Sequence, residues 1–411
     1  MGKIDANYDD FSLKLRQYSS IDKLKKYILW QREMRSKNNT DNFENSQTFL
    51  GGPVSINLDI TVACNYCCAH CVDSKILNTN DKFSLEEIYR ITKVLSSNGL
   101  KSIILIGGGE PALHPQFESI VRSIKSLGVQ LGIVTNGSRI SRLIKISDCL
   151  NERDWIRFSL DAGSDETFQK IHKPNTKVSL MDICSGVKHI KEGNDKVSIG
   201  FSYIIFYEGC NVNGIKLSDN VDEIPSSVRL AVDFGFDYIT FKPCLIKSGS
   251  TCNRETLLYG ENRSRIEGIA NRIKERLYEA KGNCNGRIRM HESINLRAML
   301  GDDLDRYKLQ PRNCHSQIYR QIVTPIGIYH CPAYRGDAKA LIGARDGYFS
   351  QEKYEETCVN NLEVMRKFDA SKECKDIVCF YNRLNWWIED VINSGEDVDS
   401  IDPLGDDNSF L

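Results

Sequence analysis

From residue 54 onward, apolar residues gather in short runs rich in Ile and Val. Each run is closed by Gly or Asn and followed by a segment whose apolar positions recur at helical spacing. The runs Val54–Thr61, Ser102–Ile106, Gln130–Thr135, Trp155–Leu160, Val197–Phe206 and Asp237–Lys242 predict six strands. Between them the spacing predicts helices over Ser84–Ser97, which opens with a Ser-Leu-Glu-Glu capping box, and over Gln116–Leu127, Arg139–Leu150, Leu180–Lys191 and Ile224–Phe234. Regular alternation of strand and helix implies a parallel sheet with right-handed crossovers, open or curled into a barrel. Its functional surface should lie at the C-terminal ends of the strands. A long amphipathic segment, Asn262–Ala280, follows the sixth strand, and after Arg287 the alternation stops. Ahead of the strands, Phe11, Leu13, Leu15 and Tyr18, then Leu24, Tyr27, Ile28 and Trp30, predict two short helices. The Asn-rich stretch Ser36–Ser46 reads as a linker, and the acidic, Gly-containing residues from Gly395 onward read as a disordered tail.

Composition narrows the partners. The chain has 411 residues, enough for two or three domains, and its 54 Lys and Arg against 55 Asp and Glu give a net charge of −1. No global basic field exists to recruit nucleic acid or an anionic membrane. Apolar runs such as Ile103–Ile106 fall far short of the ~20 residues that span a bilayer. The first residues lack the apolar core of a secretion signal, so the expected location is cytoplasmic. In that thiol-reducing compartment, clustered cysteines among a total of 15 point to metal ligation rather than disulfides.

The first strand runs directly into Cys64-Asn65-Tyr66-Cys67-Cys68-Ala69-His70-Cys71. Cys64, Cys68 and Cys71 are spaced CxxxCxxC, and three thiolates on one short loop can hold three irons of a [4Fe–4S] cube while leaving the fourth open to a small molecule. A structural zinc site usually takes four protein ligands, and His70 stands as the alternative fourth. Cys67 offers a second register, CxxCxxxC.

This loop resembles the signature of the radical S-adenosylmethionine (radical SAM) superfamily. Later segments agree in order and position: Gly107-Gly108-Gly109-Glu110-Pro111 after strand two, Val134-Thr135-Asn136-Gly137 after strand three, and Ser159-Leu160-Asp161-Ala162 at the end of strand four. The resemblance implies that the backbone at Gly108 and Gly109, together with Glu110, meets the methionine ammonium of SAM. It places Thr135 and Asn136 near the SAM carboxylate and ribose, Ser159 and Asp161 at the ribose hydroxyls, and His70 near the adenine. It further implies a 5′-deoxyadenosyl radical that abstracts hydrogen from substrate, and an electron donor such as flavodoxin or ferredoxin.

Cys314 and Cys331 bracket a hairpin that turns at Pro325–Gly327, and Cys374 and Cys379 precede an aromatic helix over Tyr381–Ile388. This arrangement resembles the twitch module of radical SAM dehydrogenases. The related SPASM module needs about seven cysteines for two clusters, whereas five occur in this region. The resemblance therefore implies one auxiliary [4Fe–4S] cluster on Cys314, Cys331, Cys374 and Cys379, with Cys358 as a possible substitute and a zinc knuckle as the bland alternative. Lys242 and Tyr203, on strands six and five, are candidate catalytic residues, and Arg335 beside the hairpin is a third; a strand-end salt bridge is the plain alternative for Lys242. His114, His172 and His189 are expected to be structural.

The expected fold is α/β: a helical extension over 1–50, a partial (β/α)6 barrel over 51–300, an auxiliary-cluster domain over 301–395 and a tail over 396–411. The expected activity is a radical SAM oxidoreductase acting on a small polar metabolite such as a sugar or aminosugar. Two alternatives stand beside it, a maturase or epimerase of a ribosomally made peptide and a non-catalytic iron–sulfur or zinc protein.

Overall fold

The structure is a computed structural model that describes residues 10–36, 49–212, 214–244, 246–247, 255–256, 263–284, 286–301, 304–375 and 377–406. All but the first residue of the linker expected over Ser36–Ser46, the start of the amphipathic segment at Asn262 and the last five residues of the tail lie outside the described residues.

Ten strands make one sheet: β1 (Ser55–Leu58), β2 (Ser102–Leu105), β3 (Gln130–Thr135), β4 (Trp155–Ser159), β5 (Ser198–Ile205), β6 (Tyr238–Pro243), β7 (Arg289–Glu292), β8 (Arg320–Thr324), β9 (Gly327–Tyr329) and β10 (Leu341–Gly343). Their order is β7-β6-β5-β4-β3-β2-β1-β8-β9-β10. The first eight in that order pair in parallel, and only the hairpin β8–β9 and its neighbour β10 are antiparallel. This is the partial α/β barrel expected from the alternation of strand and helix.

The strands form because one face of the sheet is continuously apolar, while the alternate positions, among them Asn57, Arg157, Ser159 and Ser202, face a cavity. Ile56, Leu58, Ile103, Leu105, Leu131, Ile133, Ile156 and Phe158 are all fully buried, as a parallel sheet covered by helices requires. Two of the helices between strands start at side-chain capping boxes. Ser84 and Ser179 each accept from the backbone three residues on and are answered by Glu87 and Asp182 in complete capping boxes. The Ser84 box closes the long loop that leaves β1, and the Ser179 box starts the second of two helices that follow β4.

Two features depart from the pattern. A seventh barrel strand, β7, is built from Arg-Met-His-Glu, half exposed along its whole length at the sheet edge, and carries no apolar run to announce it. The helix Gln351–Lys367 escapes for a similar reason, since its buried stripe of Tyr354, Thr357, Cys358, Asn361, Leu362 and Met365 is half polar.

The C-terminal hairpin is part of the barrel sheet, because β8 lies alongside β1 with Ser55 opposite Arg320 and Leu58 opposite Val323. The N-terminal helix Ile21–Ser36 packs on the helix Asn382–Ser394 through Leu24, Ile28, Ile388 and Ile392. Tyr27 Oη lies 2.8 Å from His315 Nδ1, and Arg35 pairs with Glu389 at 2.9 Å. The residues expected to form a disordered tail are corrected as far as Asp406: the backbone N–H of Tyr18 donates to the Leu404 carbonyl at 3.0 Å, and Leu404 bridges Gln17. The acidic composition misled because backbone pairing, which any residue type can make, holds the segment.

Candidate functional site

The loops leaving β1, β2, β3 and β4 meet at one end of the sheet. Gly107-Gly108-Gly109 runs beneath the entry to the cysteine loop, so close that a Cβ at Gly109 would lie 2.1 Å from the Ala63 carbonyl oxygen. Only glycine permits that approach. The Glu110 N–H then donates to the same Ala63 carbonyl at 2.8 Å, which joins the two loops through their backbones. The Cys64 N–H donates to Asn78 Oδ1 at 2.9 Å.

Burial pushes the Cys64 thiol up to about 11, although backbone N–H groups of Tyr66 and Asn65 point at its sulfur. Burial likewise pushes Cys71 up to about 12 against a backbone N–H from Asp73. Each of these two thiols also feels the charge of the other cysteines of the loop. Thiols that are costly to ionise unaided, yet already supplied with backbone donors, suit a cationic iron–sulfur centre. Cys67 is exposed, whereas Cys64 and Cys68 pack against the barrel core, which favours the CxxxCxxC register.

The Glu110 carboxylate is buried and engaged within the fold. It accepts from the Ala112 N–H at 3.0 Å, the Thr135 hydroxyl at 2.7 Å and the Asn136 N–H at 2.7 Å. Burial still leaves its pKa raised. Glu110 thus clamps the end of β2 to the end of β3, and Asn136 continues the link with a 3.1 Å bond to Asn65 in the cysteine loop.

At the end of β4 the two candidate ribose residues part. Ser159 lines the central cavity, whereas Asp161 is 1% exposed and absent from the cavity wall. Asp161 sits at φ +52°, a strained region that Asp tolerates better than most residues. Its Oδ1 accepts from the Ile204 N–H at 2.7 Å, and its Oδ2 faces His172 Nε2 at 3.3 Å and His70 Nε2 at 3.6 Å. Burial would raise this carboxyl, but the two imidazoles hold it well below the usual range.

His172, expected to be structural, instead stands at the site: its Nδ1 is 3.2 Å from Cys68 Sγ. Burial opposes its charge, yet contact with Cys68 and Asp161 raises it to about 10. Cys68, His70 and His172 each bring a ligating atom within 4.8 Å of the others. No spacing rule could have shown this, because 104 residues separate His172 from Cys68. His114 matches its expected structural role, with its Nε2 at 2.8 Å from the Phe83 carbonyl oxygen.

A cavity of about 460 Å³ opens beside this cluster of loops. It is lined by His70, Gly107, Ser159 and Lys242 and also by all four of Cys314, Cys331, Cys374 and Cys379. Those thiols converge. Burial raises Cys374 and Cys379 far above the ordinary thiol range, and the charges of Cys314 and Cys331 add to it. Ser316 Oγ lies 3.3 Å from Cys314 Sγ, and the Tyr381 N–H donates to Cys379 Sγ at 3.3 Å. Cys358 is elsewhere, hydrogen-bonded to Tyr354 and beside Lys23, so it is no substitute for one of the four.

Lys242 faces the cavity as expected, but Tyr203 does not. Along β5 the cavity side is taken by Ser202 and Ile204, which puts Tyr203 on the opposite face by the two-residue period of a strand. It is 0% exposed, packs on Phe241, and donates to the Asn220 carbonyl at 2.7 Å. Burial keeps its phenol neutral, and its expected catalytic role is withdrawn. Tyr203→Phe should therefore leave kcat and KM unchanged and cost only about 0.5–1.5 kcal/mol of stability in denaturant unfolding. A drop in kcat would restore it to the site.

A partial parallel barrel that gathers a cysteine loop, a glycine loop and a buried cavity at its C-terminal strand ends defines an enzyme whose hard chemistry is carried by bound cofactors. Residues 58–209 match the family model described as Radical SAM superfamily, and this segment is a radical SAM domain. The cofactors of that family are a [4Fe–4S] cluster and S-adenosylmethionine. The chain is 30% identical over 182 residues to a GTP 3′,8-cyclase of Staphylococcus epidermidis, an alignment covering 41% of this chain and 51% of the cyclase. It thus spans about half the length of the curated relatives it matches. Among solved structures it resembles Streptococcus suis SuiB, with a TM-score of 0.53 at 14% identity, covering 88% of this chain and 78% of SuiB. It also resembles anSMEcpe with bound AdoMet and the Kp18Cys peptide, with a TM-score of 0.54 at 16% identity, covering 81% of this chain and 88% of the other. At those identities the likeness is one of fold. No helix among the described residues is long and apolar enough to cross a membrane.

Proposed function

We propose that this radical SAM enzyme is an oxidoreductase that removes hydrogen from a small polar metabolite, a sugar or aminosugar alcohol, bound in the central cavity. The observation that carries the reading is that a single cavity is lined both by residues of the SAM-side loops and by four converging cysteines. In this reading Cys64, Cys68 and Cys71 hold the SAM-binding cluster, and Cys314, Cys331, Cys374 and Cys379 hold an auxiliary [4Fe–4S] cluster in a C-terminal module. When bound, SAM and its cluster supply the radical that takes hydrogen, and the auxiliary cluster supplies an acceptor for the electron that oxidation leaves over.

The chain's own residues bind, orient and exclude water. Backbone groups at Gly108 and Gly109 receive the methionine end of SAM. Thr135 and Asn136, braced by Glu110, shape the pocket for its carboxylate, Ser159 meets the ribose, and His70 borders the adenine. Lys242, on the cavity wall, orients the substrate hydroxyl or takes its proton. Electrons enter from a small donor protein such as flavodoxin or ferredoxin, and the enzyme works in the cytoplasm.

A second reading, epimerisation of a metabolite or of a ribosomally made peptide, is favoured by one observation. Cys244 lies in the cavity wall, and its thiol is hydrogen-bonded to that of Cys210, so it is placed to return hydrogen to a substrate radical. Turnover in deuterated water, read by mass spectrometry, separates the two. Oxidation lowers the product mass by two hydrogens and leaves no solvent deuterium on the attacked carbon. A product of unchanged connectivity carrying one deuterium there defeats the oxidoreductase reading.

A further inference from the structure

Beside the SAM-side cysteine loop sit two acids whose cationic partner comes from the far end of the chain. Asp73 follows Cys71 by two residues, and Asp59 lies on the segment leaving β1; their side chains are 9% and 0% exposed. Arg335 reaches both, with Nη1 2.6 Å from Asp73 Oδ1 and Nη2 3.4 Å from Asp59 Oδ1. Neither oxygen of Asp59 has a hydrogen bond among the described residues, so its charge is met by that guanidinium. Burial pushes the Asp59 carboxyl up to about 8, with Arg335 drawing it down and Asp73 adding to the rise.

The glycine loop belongs to the same arrangement. A Cβ at Gly107 would lie 2.5 Å from Arg335 Nη1, so a bare glycine lets the guanidinium rest against the loop. Arg335 stands four residues after Cys331, beyond the short turn Pro332–Tyr334. One side chain therefore touches the cysteine loop, the glycine loop and the end of β1 while anchored beside a cysteine of the second set. Without it Asp73 would lose its ion pair and Asp59 its guanidinium neighbour, leaving two buried acids to be neutralised or displaced.

We infer that Arg335 is a positioning residue that latches the SAM-side loops into their binding shape, so that SAM affinity depends on the docked C-terminal cysteine loop. This rests on the reading that Cys64, Cys68 and Cys71 hold the SAM-binding cluster. A packing role and a charge role are separated by removing all three charges with near-isosteric side chains.

The test uses full-length, anaerobically reconstituted chain carrying Arg335→Gln, and the triple variant Asp59→Asn, Asp73→Asn, Arg335→Gln. Labelled SAM is titrated by equilibrium dialysis, and the change it causes in the EPR spectrum of the reduced cluster is recorded. Arg335→Gln should weaken SAM binding by about tenfold or more and blunt the spectral change. The triple variant should stay within about threefold of Arg335→Gln, because it too lacks the ion pairs that hold the loops. Wild-type affinity in Arg335→Gln overturns the latch, as does a triple variant that regains wild-type affinity, which assigns the loss in the single variant to unpaired acids alone. If Arg335→Gln fails to assemble, the triple variant decides alone: SAM binding about tenfold weaker than wild type keeps the latch, and wild-type affinity overturns it. Failure of the underlying reading looks different: replacing Cys64, Cys68 and Cys71 by Ala would then leave iron content and SAM binding at wild-type levels.

Discussion

Replacing Cys64, Cys68 and Cys71 together by Ala should reduce bound iron from about eight to about four per chain and abolish SAM cleavage. The iron that remains is the signature of interest. It would be held by Cys314, Cys331, Cys374 and Cys379, which border the same cavity and come from a different part of the chain. Because the barrel core beneath the loop is apolar and continuous, the variant should still fold. Iron analysis with EPR of the dithionite-reduced protein gives the reading. A triple variant without iron, or wild-type protein carrying stoichiometric zinc, would sink the two-cluster assignment.

The converse substitution, Cys374→Ala with Cys379→Ala, should remove the other four irons and uncouple the reaction. The release of 5′-deoxyadenosine should persist, while oxidised product falls by about 100-fold or more, the scale expected when a required electron acceptor is lost. Both thiols are buried and electrostatically coupled to Cys314 and Cys331, so the remaining pair is too small a ligand set for a cube. Cys358 offers no rescue from its place beside Tyr354. Comparing 5′-deoxyadenosine with product in the same samples isolates the effect. Product formation at the wild-type rate would remove the auxiliary cluster from the mechanism.

Local spacing carried the sequence reading a long way, and it failed where partners lie far apart in the chain. The cysteine loop, the glycine loop and the ends of β3 and β4 are short motifs punctuating strong apolar runs, and both signals are legible in one dimension. Arg-Met-His-Glu could not announce β7, because an edge strand has little to bury. The phase of β5 was equally hidden, since Ser198–Ile205 is nearly all buried and gives no alternation to say which face Tyr203 takes. His172 and Arg335 acquire their partners only when residues 104 and 262 positions apart are brought together. Asp161 was found by its motif, but its direction was not, because an aspartate can turn toward imidazoles as readily as toward a ligand hydroxyl.

The placement of β8 against β1 has a consequence for how the chain is made. During synthesis the edge of β1 that will receive Arg320–Thr324 must wait until more than half of the chain has followed it off the ribosome. Throughout that interval an apolar, hydrogen-bond-hungry strand edge stands open, which is the kind of surface that recruits chaperones or neighbouring nascent chains. A pairing so distant in sequence also makes closure of the sheet a slow, late event. Expression at low temperature or with co-produced chaperones should therefore raise the soluble yield more than stabilising substitutions within the barrel. For the same reason the last quarter of the chain, which completes the wall of the cavity, also finishes the fold of the first.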